Sequence, residues 1–132
     1  MQRYFPWFMA AVFAFTCTLA HSQVVINEIH YDDSSSSPDD GEFVELYNAG
    51  ESSVDISGWF LAGQDEAGAN LTPQATYTIP ASTILAAGGY YVIGNPAVPG
   101  VNLQVGPGAA GVFENDAEVT EIRDSGGNLI DA

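Results

Sequence analysis

Five carboxylates gather around one polar stretch of this chain: Asp32, Asp33, Asp39, Asp40 and Glu42 enclose four serines and a proline. Hard oxygen ligands at this density suit calcium, and Glu28 and Glu45 stand close by on the flanking segments. The Asp-x-Asp-x-Asp-Gly spacing of an EF-hand loop is absent at every register. Two expectations follow for residues 32–42. One is a calcium site built from the five carboxylates. The plainer one is a solvated acidic loop that keeps an exported protein soluble.

Other chemistries are thinly supplied. Nucleophilic catalysis needs a base beside its nucleophile. Yet the chain has no lysine, its one cysteine is Cys17, and beyond residue 22 its one imidazole is His30. His30 falls on a strand-like segment on the same side as Glu28 and reads as a half-exposed structural or surface histidine. Glu28, Glu42 and Glu45 fall on segments that could be neighbouring strands, which raises glycoside hydrolysis by paired carboxylates. That reaction also needs a cleft lined with sugar-binding groups, which a small sandwich with short loops seldom provides. The chain is therefore read as non-enzymatic, with no catalytic residue. Asn70-Leu71-Thr72 matches a glycosylation sequon and is treated as unused.

Charge narrows the partners. The 132 residues carry 17 Asp+Glu against 2 Lys+Arg, a formal net charge of −15. Nucleic-acid affinity is built largely from Lys and Arg contacts that release counterions, so nucleic acid and anionic membranes are poor partners. So acidic a composition often signals disorder. Here 46% hydrophobic residues and 14 glycines between short β-branched runs indicate a folded β domain instead.

Residues 1–22 combine Arg3, an apolar run from Phe8 to Ala20 and the small residues Ala20 and Ser22. This is the pattern of a secretory signal peptide, with the mature chain starting near Gln23. The apolar run is shorter than the roughly 20 residues needed to span a bilayer. Cys17 leaves with the leader, so the mature domain has no disulfide, and Arg123 remains as its only Lys or Arg. The expected location is extracellular or at the cell surface.

The elements that must position these groups recur every ten residues or so from Gln23 onward, as short apolar runs between clusters of Gly, Pro, Asn, Asp and Ser. Strands are predicted at 24–31, 42–48, 53–61, 76–79, 83–85, 89–94, 117–123 and 128–131, with helix content near zero. The fold class is all-β, an immunoglobulin-like antiparallel sandwich forming one domain over 23–132. Alternation in 42–47 assigns Val44 and Leu46 to the core and Phe43, Glu45 and Tyr47 to the opposite face. Val54, Ile56 and Trp59 are expected to follow, with Trp59 as a core anchor and Gly58 providing a bend. Residues 63–73 and 95–111 read as loops, and Ser125-Gly126-Gly127 as a tight hairpin turn. Asn27, Asn48 and Ser57 are expected to satisfy backbone groups at strand ends. Tyr31, Tyr47, Tyr77, Tyr90 and Tyr91 offer the candidate recognition surface, about half of them being packing residues instead.

The ordered pieces Val25-Ile26-Asn27-Glu28-Ile29, Gly41-Glu42-Phe43-Val44-Glu45-Leu46-Tyr47-Asn48, Val54-Asp55-Ile56-Ser57-Gly58-Trp59-Phe60-Leu61 and Gly88-Gly89-Tyr90-Tyr91-Val92-Ile93 resemble the lamin-tail domain family, of the bacterial secreted type. The resemblance spans residues 24–132. It implies an immunoglobulin-like sandwich, used in nuclear lamins as an interaction module and in bacterial proteins as an accessory domain of secreted or surface enzymes and adhesins. It implies no reaction. The basic surface behind any nucleic-acid role of lamins is absent, so that role is not transferred. In related domains the strand matching Leu129-Ile130-Asp131 usually runs on for several residues, so two expectations stand: a fragment of a longer secreted protein, with the domain truncated at its C-terminal end, or a chain that ends with an incomplete edge strand. The functional expectation is a non-catalytic extracellular interaction module with a protein or cell-surface partner and calcium as a candidate ion. The alternative is the N-terminal part of a secreted nuclease or phosphatase whose catalytic domain lies beyond residue 132. A third reading is an edge-pairing module that uses its last strand.

Overall fold

The alternation of residues 42–48 becomes a central strand of a two-sheet sandwich in the computed structural model, which describes residues 23–30, 41–64, 77–105 and 119–132. The strands are β1 (Val24–His30), β2 (Phe43–Asn48), β3 (Val54–Asp55), β4 (Phe60–Gln64), β5 (Tyr77–Thr78), β6 (Ile84–Leu85), β7 (Tyr90–Gly94), β8 (Leu103–Gln104), β9 (Val119–Arg123) and β10 (Leu129–Asp131). One sheet has the order β1-β2-β7-β8, the other β10-β9-β4-β5, and β3 and β6 form a separate two-stranded ribbon. This is the all-β, immunoglobulin-like sandwich expected. Among the described residues no helix is long and apolar enough to cross a membrane.

Period-two patterning fills the space between the sheets. Val44 and Leu46 of β2, Tyr91 and Ile93 of β7, Leu61 of β4 and Ile122 of β9 are buried together. Ile56 and Ile79 join them from the connections and Leu85 from β6. A fully buried aliphatic side chain contributes about 1.5–3 kcal/mol. Without a disulfide, this shared apolar layer carries the fold.

Three expectations are corrected. The segment predicted as one strand over 53–61 is two, β3 and β4, separated by a turn in which Trp59 N–H donates to the Ile56 carbonyl at 3.1 Å. Gly58 sits in that turn at φ +72°, which a type II turn demands at its third position. Trp59 is consequently half-buried against the core rather than at its centre, which Ile56 occupies with no exposure. The stretch 95–111, read as loop, contains β8, and β8 pairs in parallel with β7, so the sandwich is not wholly antiparallel. Asn102 prepares that pairing: its N–H donates to the Val92 carbonyl and its Oδ1 accepts from the Val92 N–H, both at 2.8 Å.

The β1 edge is guarded at one position. At the free side of β1, where a bulge falls at Asn27, the Ile26 N–H donates to Asp131 Oδ2 of β10 at 2.8 Å. A carboxylate thus occupies a donor that would otherwise invite another strand.

The expected turn after β9 is built by Asp124. Its Oδ1 accepts the Gly126 and Asn128 N–H groups, each at 2.9 Å, and its Oδ2 accepts Asn128 Nδ2 at 2.8 Å, while Gly127 takes φ +85°. The Asn128 side chain first, and then its backbone N–H, hold the Asp124 carboxyl below its ordinary 3.8. A carboxyl whose pKa is lower folded than unfolded contributes stability above its unfolded value and loses it as pH falls through the folded one. Asp124→Asn is therefore expected to melt below the wild type near neutrality. The gap should close as pH is lowered from about 5 to about 2, followed by thermal unfolding across that range.

Candidate functional site

Antiparallel register sorts every residue of β1, β2 and β7 to one face or the other, and the face turned away from the core is aromatic and acidic. Three cross-strand rows build it: Val25, Tyr47 and Tyr90; then Glu28, Glu45 and Val92; then His30, Phe43 and Gly94. Tyr47 and Tyr90 stack with ring centroids 4.8 Å apart and planes inclined at 31°. His30 and Phe43 lie 5.6 Å apart at 38°. Pairs at these separations stabilise each other beyond the area they bury. Gly94 leaves room for Phe43, because a Cβ there would fall 2.6 Å from the Phe43 Cβ and 2.7 Å from the Glu42 carbonyl.

The tyrosines divide as the structure requires. Tyr90 is 54% exposed, and its stacked neighbour Tyr47 is half-buried on the same face. Tyr91, one residue on, turns inward to 8% exposure, and burial pushes its hydroxyl above the usual 10. Tyr77 packs against the core. Burial first and the Glu42 charge second raise its hydroxyl as well. Tyr31 lies outside the described residues. Phe43, Val25 and Val92 belong to the face although sequence reasoning did not count them as recognition residues. Their signal is the alternation itself, since each stands an even number of residues from a face residue on its own strand, apart from the bulge at Asn27.

The carboxylates separate. Glu28 and Glu45 are direct cross-strand partners on the outer face. Glu42 continues the inward register of Val44 and Leu46 and is buried at 4% exposure, so the three do not converge. Asp32, Asp33, Asp39 and Asp40 lie outside the described residues, as do residues 1–22 and Asn70. Among the described residues no three His, Asp or Glu side chains group as metal ligands. His30 is exposed and rests its ring near Phe43, in keeping with a surface histidine.

Asn48 and Ser57 serve backbone groups as expected, Ser57 Oγ accepting the Thr83 N–H at 2.9 Å. Asn27 differs. From the bulge its Nδ2 donates to Glu45 Oε1 at 2.8 Å, side chain to side chain. Arg123 is spent internally: its Nε donates to Glu121 Oε2 at 2.7 Å, its Nη2 lies 2.6 Å from the same oxygen, and its Nη1 donates to the Gly127 carbonyl at 2.9 Å. With no lysine in the sequence, the outer face of β1, β2 and β7 has no Lys or Arg of its own.

Such a face has the makings of a recognition surface, with rigid rings, polar tips and a fixed charge, and no nucleophile–base pair among its nine positions. None of the curated proteins compared matches the chain. The family model described as Lamin Tail Domain matches residues 18–132, the whole of both sheets included. Fold and match agree, and the chain belongs to the lamin-tail domain family, whose immunoglobulin-like domains are in general interaction modules rather than enzymes.

Proposed function

We propose that this domain is a non-catalytic interaction module of an exported protein, and that it binds a protein partner through the outer face of β1, β2 and β7. The observation that carries this reading is the Tyr47–Tyr90 stack on the solvent side of the sheet, while the adjacent Tyr91 turns into the core. Tyrosine offers a large flat contact at low entropic cost and dominates many protein interfaces for that reason. The leader-like residues 1–22 supply the export part of the proposal.

An array of short peptides varied in charge and aromatic content, probed with the full chain, tests it. Spots bound by the wild type should be lost by Tyr47→Ala/Tyr90→Ala. The double variant should keep its sheet structure by circular dichroism, because both rings lie outside the core. Equal binding by the two proteins would overturn the assignment of the face.

A further inference from the structure

We infer that the partner of this face is a basic polypeptide segment whose arginine or lysine side chains lie over the Tyr47–Tyr90 rings and reach the Glu28–Glu45 pair. The inference rests on the interaction reading above and adds the chemistry of the partner.

Two like charges directly opposite each other on one face of a sheet are destabilising, and Glu28 and Glu45 are such a pair. The polar contact Glu45 has is a neutral amide, Asn27 Nδ2. The ion pair among the described residues is Arg123 with Glu121, and it is elsewhere, on β9 of the other sheet. An incoming cation therefore relieves repulsion that no Lys or Arg of this face relieves.

The surroundings match a cation attached to a chain. Glu45 and Tyr47 are two residues apart on β2, a separation of about 7 Å along a strand. A guanidinium stacked on the tyrosine rings is thus within reach of the carboxylate row, and aromatic faces attract such groups through their quadrupole. Val25, Val92 and Phe43 flank the carboxylates with apolar surface that suits the methylene stem of Arg or Lys. The molecule as a whole, at 17 acidic against 2 basic residues, steers a basic segment in and repels acidic ones. A second copy of this chain would bring the same carboxylates and fits poorly.

The test is a titration of the full chain with a short peptide of alternating arginine and glycine, against the same peptide with glutamine in place of arginine, at low and physiological salt. The arginine peptide should bind and the glutamine peptide should not, and salt should weaken the binding. Tyr90→Ala and Glu28→Gln should each weaken it about fivefold to tenfold with the circular dichroism of the sheets unchanged, while the melting temperature falls slightly in the first and rises slightly in the second. Glu51→Gln makes the same charge change on an exposed loop residue and should leave the affinity unaltered. Equal losses from Glu51→Gln and Glu28→Gln would mean attraction by the whole charged body and would overturn the proposal. Binding of the glutamine peptide that is lost in Tyr90→Ala would overturn the basic partner while keeping the face. Self-association of the wild type abolished by Tyr90→Ala would do the same in favour of a second copy. Indifference of every peptide to Tyr90→Ala would sink both readings.

Discussion

Arg123→Ala is expected to lower the unfolding free energy by about 2 kcal/mol, between the scales of an exposed and a fully buried ion pair, because the Arg123 side chain is 27% exposed. Arg123 is the only Lys or Arg outside the first 22 residues, and all of its described contacts are internal. The Glu121 side chain is 8% exposed and depends on Arg123 for its compensating charge. The same substitution leaves the Gly127 carbonyl without the donor that ties the β9–β10 hairpin. Urea unfolding followed by tryptophan fluorescence measures the loss. Adding Glu121→Gln to Arg123→Ala should recover more than half of it, because the buried charge is then gone. An exposed pair would behave differently: the single substitution would cost about 0–1 kcal/mol and the second would recover nothing. Arg123→Lys should fall between, since one ammonium cannot present the planar fork that serves Glu121 and Gly127 together.

Asn48→Ala should cost about 2–4 kcal/mol, from the unpaired buried groups it creates. Asn48 ends β2 with no exposure at all. Its Nδ2 donates to the carbonyls of Ser52 at 2.8 Å and Leu85 at 3.1 Å, and its Oδ1 accepts the Gly50 N–H at 3.0 Å. One side chain therefore holds the loop after β2 to the end of β6. Its own backbone meanwhile pairs with Gly88 and Gly89. Asn48→Asp should be worse than Asn48→Ala despite its matching shape, because it points a second acceptor and a charge at two carbonyls. Thermal melts of the three proteins check the order: wild type, then Ala, then Asp. An Asp variant as stable as the wild type would show that solvent reaches this loop.

Both residues illustrate how far residue type and spacing carry. Asn48 at a strand end, followed by Ala-Gly, already reads as a backbone cap for the turn that follows, whereas its bond to the Leu85 carbonyl appears only when β6 is brought alongside. Val44 and Leu46 are legible as core for an equally local reason: successive side chains of a strand point to opposite faces. Ser125-Gly126-Gly127 announces its turn through glycine's tolerance of positive φ. Arg123 is legible as scarce, but its commitment to Glu121 is visible only once β9 is seen to bury one of its own carboxylates.

Glu42 shows where residue type and pattern part. Its carboxylate argues for exposure and a metal loop, whereas its place two residues before Val44 argues for the interior, and the interior wins. Trp59 is the converse, a large apolar residue that a turn at Gly58 holds at the margin of the core. The strand β8 is masked in the sequence by the Pro and Gly around it. Yet Val101, Leu103 and Val105 alternate as a strand should, and Val105 is buried.

The outer face of β1, β2 and β7 rests on both kinds of information. Composition follows from the chain read in order, as do the strand period, the dearth of bases and the excess of carboxylates. Each is a property of single residues or of neighbours within a turn. Whether Tyr90 or Tyr91 meets solvent, and that Glu28 stands opposite Glu45, depends on which strands pair and in what register. So does the placing of Phe43 over Gly94. Register is selected by burying Leu46, Ile93, Leu61 and Ile122 in one shared core, and a slip of one residue would exchange the two faces. That core is assembled from segments far apart in the chain, so its demands are felt only when the sheets close on each other.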